Sequence, residues 1–182
     1  KKVITKFSNK THLRLIHSFQ EDLGFRAAKS RNKAISLATG EYIVLIDGDM
    51  VLHPDFVKDH LNNARHGYFI QGSRVLLNKD ASDQAIINQK LRFNFFSKGL
   101  NNRFNSIHSF FLSRYFLNNK KYLDGIKTCN MSFFKKDFLN VNGFNNEFEG
   151  WGREDSEFVV RLINSGIKRK NVRFNVIQFH LW

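Results

Sequence analysis

The chain has 182 residues, is 42% hydrophobic with 20 phenylalanines, and carries 29 Lys+Arg against 16 Asp+Glu, a net charge of +13. That length and apolar content suit one folded domain with a sizeable core. No apolar run reaches the roughly 18–20 residues of a bilayer-spanning helix, and the excess positive charge points to an anionic partner: nucleic acid, a membrane surface or a phosphorylated substrate.

In chain order, Leu-Arg-Leu-Ile-His at 13–17 reads as a short strand. Residues 24–40 read as a helix, with Ala27, Arg31, Ala34, Ile35 and Ala38 near helical spacing and Gly40 as a stop. Glu-Tyr-Ile-Val-Leu-Ile at 41–46 is a continuous apolar run, the mark of a strand buried on both faces. Asp47-Gly48-Asp49 follows at once, and His53-Pro54-Asp55 opens a helix expected to end near Gly67. Residues 68–77 read as one strand, 84–118 as helical, and 126–134 as a strand. Asp155 or Ser156 caps a helix stopped at Gly166, and an alternating strand ends the chain. Strands interleaved with helices predict an α/β domain on a largely parallel sheet. The lone Cys129 cannot close an internal disulfide, which fits a reducing compartment.

Two acidic motifs carry chemistry. Open α/β sheets place ligands at the carboxyl ends of their strands. Asp47 and Asp49 stand at such an end, and Gly48 lets the backbone turn so that both carboxylates face one point. Two hard oxygens suit Mg²⁺ or Mn²⁺ shared with substrate phosphates; an ordinary Asp-Gly turn is the alternative. Glu154, Asp155 and Glu157 crowd acids into a basic chain. A helix N-terminus favours acids there, but the preceding Gly150-Trp151-Gly152 suggests backbone packed close to a ligand with Trp151 as an apolar wall. A carboxylate held at a helix start can take a proton from an attacking hydroxyl.

From Gln84 to Leu123 there is no Asp or Glu, while Lys90, Arg92, Lys98, Arg103, Arg114, Lys120 and Lys121 alternate with Phe93, Phe95, Phe96, Phe104, Phe110, Phe111 and Phe116. Three readings stay open: a helical pair packing its phenylalanines on the core, a basic amphipathic surface on anionic lipid near a lipid-linked acceptor, or a single-stranded nucleic-acid surface. No aromatic RNA-binding signature supports the last, so nucleic acid is not expected as a partner.

The stretch Val-Leu-Ile-Asp-Gly-Asp-Met-Val-Leu-His-Pro-Asp-Phe (44–56) resembles glycosyltransferase family 2, as does residues 19–35, which precede it. Residues 142–162, Asn-Gly-Phe-Asn-Asn-Glu-Phe-Glu-Gly-Trp-Gly-Arg-Glu-Asp-Ser-Glu-Phe-Val-Val-Arg-Leu, look like the acceptor segment of β-1,4-galactosyltransferases and chondroitin polymerases. The resemblance implies a glycosyltransferase-A, Rossmann-like fold and an inverting, Mn²⁺- or Mg²⁺-dependent transfer from a UDP-sugar to a glycan or glycolipid. Galactose or N-acetylgalactosamine is the sugar it suggests. By the same resemblance Asp49 and Asp47 hold the metal, with Asp47 also near the ribose, and His180 completes the metal shell. Asp155 is the general base, Glu154 orients the acceptor, and Trp151 and Gly152 line the sugar site. Arg26, Arg31 and Asn32 lie near the nucleotide. A hydrolase carboxylate pair would need no metal–diphosphate motif, which disfavours that chemistry.

The family normally opens with further β-α units that cradle the uracil, whereas only residues 1–12 precede the 13–17 stretch. The expectation is therefore a piece of a longer enzyme, one domain over 1–182 with a basic, aromatic insertion at 84–123. The implied setting is surface-glycan assembly, lipo-oligosaccharide or capsule, at the cytoplasmic face of a membrane. The competing class is a non-catalytic glycan- or membrane-binding module.

Overall fold

The structure, a computed structural model, describes residues 2–8, 12–116, 123–150 and 152–182. Among these, helices and strands alternate as α1 (Lys2–Ser8), α2 (Ala27–Leu37), β1 (Tyr42–Ile46), β2 (Met50–Leu52), α3 (Phe56–Asn63), β3 (Tyr68–Gln71), β4 (Arg74–Leu77), α4 (Lys79–Ile87) and β5 (Leu100–Asn101). A 3₁₀ turn (Arg103–Ser106), α5 (Phe110–Tyr115), β6 (Asn130–Phe134), α6 (Lys135–Asn140), α7 (Glu154–Asn164), β7 (Lys168–Asn171) and β8 (Gln178–His180) complete the order. No described helix is long and apolar enough to cross a membrane.

The strands form two mixed four-stranded sheets, β1-β6-β3-β7 and β2-β8-β4-β5. The α/β class is as expected, but the pairing is mixed rather than largely parallel. β6 runs antiparallel between β1 and β3, and the parallel pairs are β3–β7 and β4–β8. β1 is consequently an edge strand: Ile43 is buried while Ile46 is 49% exposed. Its apolar run does not mean burial on both faces.

Other sequence expectations shift for local reasons. Residues 13–17 form no strand. The 68–77 stretch splits at Gly72-Ser73 into β3 and β4, which belong to different sheets. At Gly72 a Cβ would stand 2.4 Å from the Asn130 amide, so only glycine fits this crossing point. The helix expected from 84 begins at Lys79, where the Asn78 side chain accepts the Ala81 N–H. It ends at Ile87, and the described residues from there to 116 hold β5, the 3₁₀ turn and α5 instead of a continuous helix.

The principal core lies on the first sheet: Ala28 and Ile35 of α2, Phe138 of α6, Phe144, and Phe158, Val159 and Leu162 of α7 cover Phe69, Met131 and Phe133. A second cluster joins Val75, Leu77, Ala85, Phe93, Leu100, Ile177 and Phe179. Between the sheets runs a polar seam. The Asn130 amide nitrogen donates to Ser73 O and Val176 O, which turns its oxygen toward His60 Nε2 at 3.1 Å. His60 Nδ1 therefore accepts from Ser132 Oγ at 2.8 Å, and Ser132 Oγ takes the Tyr42 hydroxyl hydrogen at 2.7 Å. Burial pushes the Tyr42 hydroxyl up to about 12.

His60 is fully buried, and burial pushes its pKa down to about 4. Between pH 6.5 and 4 an unfolded His binds a proton that the folded one excludes. Stability is thus complete above about pH 6.5 and falls as pH drops toward 4, by roughly 3 kcal/mol over that window at ~1.4 kcal/mol per unit. Urea denaturation across this range will show the loss. His60→Gln, although less stable at neutral pH, will show a shallower decline; an unchanged slope removes His60 as its source.

Candidate functional site

The mixed topology assembles the site. Because β6 is reversed, its start lies beside the ends of β1 and β3: Ile46 pairs with Asn130, and Gln71 with Met131. Asp47, Gly72–Arg74 and Lys127–Cys129 therefore share one sheet edge. α7 begins at the same edge, because Asp155 accepts the Thr128 N–H at Oδ2 (2.9 Å) and the Thr128 hydroxyl at Oδ1 (2.8 Å).

One guanidinium joins these pieces. Ala28, Arg31 and Ile35 fall on one face of α2 at spacings of three and four, so the residue between two core positions also points inward. Arg31 Nη1 donates to Asp155 Oδ1 at 3.0 Å and to Glu154 Oε1 at 3.3 Å, and Nη2 lies 3.6 Å from Asp47 Oδ1. Its side chain is 18% exposed. At this burial three carboxylates would repel strongly without a cation between them. Among the described residues Asp155 Oδ2 receives one donor, the Thr128 N–H, which leaves a lone pair. Glu154 is buried, and its Oε2 finds no hydrogen-bond partner among the described residues.

A cavity of about 280 Å³ opens over this cluster, lined by Phe25, Arg31, Asp47, Arg74, Ile126, Lys127, Cys129, Gly152, Glu154 and Asp155. Arg74 and Lys127 bring positive charge beside the carboxylates. Burial, and then Arg74, lower the Lys127 pKa, while burial, and then Asp47, raise that of the Cys129 thiol. A larger concavity of about 600 Å³, lined by Asn32, Phe138–Asn146 positions, Glu157 and Arg161, includes none of Asp47, Asp49 and Asp155.

The second feature lies on the β2–β8 pair. Met50 pairs with His180, and Leu181 N–H donates to Asp49 O at 3.0 Å. This register brings His180 Nε2 within 3.3 Å of Asp49 Oδ2, with the two side chains 29% and 53% exposed. An imidazole and an accessible carboxylate that meet in this way can take a divalent ion, but Asp47 does not join them. Its Oδ1 faces Arg31, and Asp47, Asp49 and His180 do not gather within 4.8 Å of one another, so the two carboxylates expected at one point face different partners.

The remaining expected residues fall as follows. Asn32 is spent on structure: its amide grips Phe144 O (2.7 Å) and Asn146 Oδ1 (2.8 Å), and its oxygen accepts Phe144 N–H (2.8 Å). Gly143, at φ +64°, leaves no room for a Cβ against this clamp. Arg26 pairs with Glu149 at 2.8 Å. Gly152 lines the cavity; Trp151 lies outside the described residues. Sequence reading missed Arg74, Lys127, Thr128 and Cys129. The only signal was the place of Lys127, Thr128 and Cys129 at the start of the predicted 126–134 strand; Arg74 fell inside the predicted 68–77 strand, and the break at Gly72-Ser73 with the reversal of β6 is what brings them together.

Comparison with known proteins bears on the family. The family described as glycosyl transferase family 2 matches residues 1–138, and one described as the N-terminal domain of galactosyltransferase matches 109–180. The chain is 28% identical to hyaluronan synthase of Pasteurella multocida over 195 residues, covering 90% of the chain and 18% of that protein. It is also 28% identical to validoxylamine A glucosyltransferases of Streptomyces hygroscopicus subsp. jinggangensis and subsp. limoneus, covering 88% of the chain and 40% and 38% of those proteins. It thus spans well under half the length of these relatives. A match that runs through both the Asp47–Asp49 strand end and the β6 edge places the chain in glycosyltransferase family 2.

Proposed function

We propose that the protein transfers a sugar, with inversion, from a UDP-sugar to a hydroxyl of a growing surface glycan or glycolipid. The observation that carries this reading is the convergence of Asp47 with Glu154 and Asp155 on Arg31 around one cavity. Galactose or N-acetylgalactosamine is the transferred sugar, in line with the match over residues 109–180. Two relatives are named glucosyltransferases, so UDP-glucose belongs in the same donor panel.

Asp49 and His180, joined by Asp47 once its carboxylate turns from Arg31, would hold Mn²⁺ or Mg²⁺, which would supply Lewis-acid stabilisation of the departing diphosphate. Arg74 and Lys127 add positive charge for the same group. Glu154 Oε2, buried without a partner, accepts a hydrogen bond from the acceptor sugar and so orients it. Asp155 Oδ2 takes the proton from the acceptor hydroxyl. The acceptor oxygen then bonds to the anomeric carbon as the bond to the diphosphate oxygen breaks. Arg31 is a positioning residue: it holds Asp155 in place, and its position among three carboxylates makes this role a better fit than nucleotide binding.

The setting we propose is the inner face of a membrane. The 84–123 segment leaves Ile87 78%, Phe96 85%, Phe111 85% and Tyr115 85% exposed, while Phe93 joins the core. Lys90, Arg92, Lys98, Arg103 and Arg114 stand among these rings; Lys120 and Lys121 lie outside the described residues. Apolar rings set in acid-free, basic sequence favour an anionic lipid surface over a purely structural insertion.

Three outcomes test this reading. Asp155→Asn will lower transfer by roughly 10²–10⁴-fold while UDP affinity in Mn²⁺ stays the same; turnover near the wild-type rate excludes Asp155 as the base. Calorimetric titration with UDP will show binding that needs Mn²⁺, and Asp49→Ala will abolish that dependence. Equal Mn²⁺-dependent affinity in the variant would sink the metal assignment, and no transfer from any UDP-sugar would favour a binding module. The protein will float with vesicles containing phosphatidylserine but not with pure phosphatidylcholine, and replacing Phe96, Phe111 and Tyr115 together by Ser will abolish flotation. Equal behaviour on both lipids rejects the membrane surface.

A further inference from the structure

A second cluster of metal-binding groups lies at the other end of the β2–β8 pair. Asp49 and His180 stand where β2 begins, and His53 follows where it ends, roughly 13 Å away at about 3.3 Å per residue. His53 and Asp55, on the turn before α3, meet His108, on the loop after the 3₁₀ turn. One ligand atom from each lies within 4.8 Å of the other two. The two imidazoles stack with centroids 4.4 Å apart and planes at 17°, and His53 Nδ1 is 3.9 Å from Asp55 Oδ2.

The groups behind this trio are arranged as outer groups of a metal site are. His108 Nε2 donates to Asp59 Oδ2 at 2.9 Å, and Asp59 is buried. A carboxylate on one ring nitrogen fixes the tautomer and leaves the lone pair on the other, Nδ1, free for a cation. The same Asp59 oxygen accepts the Val176 N–H at 3.3 Å. The backbone is tied at both sides: His53 N–H donates to Ile177 O at 3.1 Å, and Ser109 N–H to Phe174 O at 2.9 Å. Both anchors belong to a segment in which Phe174 and Val176 hold φ of 60° and 48°. For a buried β-branched valine that conformation is strained and persists only where neighbours enforce it.

We propose that His53, Asp55 and His108 form a second divalent-metal site, of zinc type, with Asp59 as the outer carboxylate that sets His108. Two imidazoles and one carboxylate favour Zn²⁺ over Mg²⁺ or Ca²⁺, and three protein ligands leave a fourth position for water. Adjacent ligands of a tetrahedral zinc stand about 3.3–3.5 Å apart. Closing the trio requires the stacked rings to turn out of their parallel arrangement so that their lone pairs converge, and the Asp55 N–H contact to His53 Nδ1 at 3.2 Å is the bond exchanged for the metal. An ion here would clamp the basic 103–116 segment to α3 and to the segment leading into β8. The site is independent of the transfer reaction and of the ion at Asp49 and His180.

Zinc content after dialysis, and the visible absorption of Co²⁺ in its place, read the site directly in the full-length protein. Wild type should retain one equivalent that survives Asp49→Ala. His108→Ala and His53→Gln should each lose it, with folding checked by circular dichroism; His108 is largely a surface residue, and either variant alone decides. Asp59→Asn should weaken binding by about 10–100-fold, the usual effect of removing an outer carboxylate. The proposal is overturned if wild type retains no zinc, if both histidine variants retain it in full, or if Asp49→Ala alone removes it.

Discussion

The site depends on Arg31. Its guanidinium pairs with Asp47, Glu154 and Asp155 together, which come from a strand end and a helix start more than 100 positions apart. Glu154 and Asp155 are largely sequestered while Asp47 reaches solvent, and the cation between them offsets the repulsion of the three. A guanidinium suits the task better than an ammonium, because its planar fork offers several fixed donors and stays charged. The arginine is itself fixed, since Ala28 and Ile35 on either side of it along α2 are buried in the principal core. Packing thus aims the charge, and the charge holds the carboxylates.

The reversed β6 gives that arginine its targets. Its start places Thr128 against Asp155 and lines up Lys127 and Cys129 with Asp47. The polar seam of Asn130, His60, Ser132 and Tyr42 fixes β6 from behind. Burying so many polar atoms is tolerable only when each has a partner, and Gly72 is required because any Cβ would enter the Asn130 amide. The floor of the cavity is therefore rigid, while the Asp49–His180 pair on the second sheet remains accessible.

Charge is distributed with equal economy. Most of the basic excess is on the surface, where the 84–116 segment sets exposed rings among Lys and Arg. Three of the acids meet at one arginine, Arg31. A single chain thereby keeps an anion-seeking exterior and a carboxylate-lined cavity.

The α/β class, α2, α7 with its Gly166 stop, and the Asp47–Asp49 turn were legible in the sequence, because local periodicity and turn chemistry are written in adjacent residues. So was the family, carried by contiguous motifs. Strand pairing was not, since direction and order depend on partners far along the chain. Nothing in residues 126–134 says that β6 runs antiparallel between β1 and β3, and nothing in 68–77 says that one apolar run serves two sheets. The same limit applied to roles: Arg31 and Asn32 look alike as polar positions on a helix, yet one reaches the carboxylates and the other clamps Phe144. Arg74, Lys127 and Thr128 belong to the site only because folding joins three strand ends. The sequence by itself determined which residues could carry charge, turn the chain or bury a face; the tertiary structure alone decided which of them meet, because meeting is set by long-range packing.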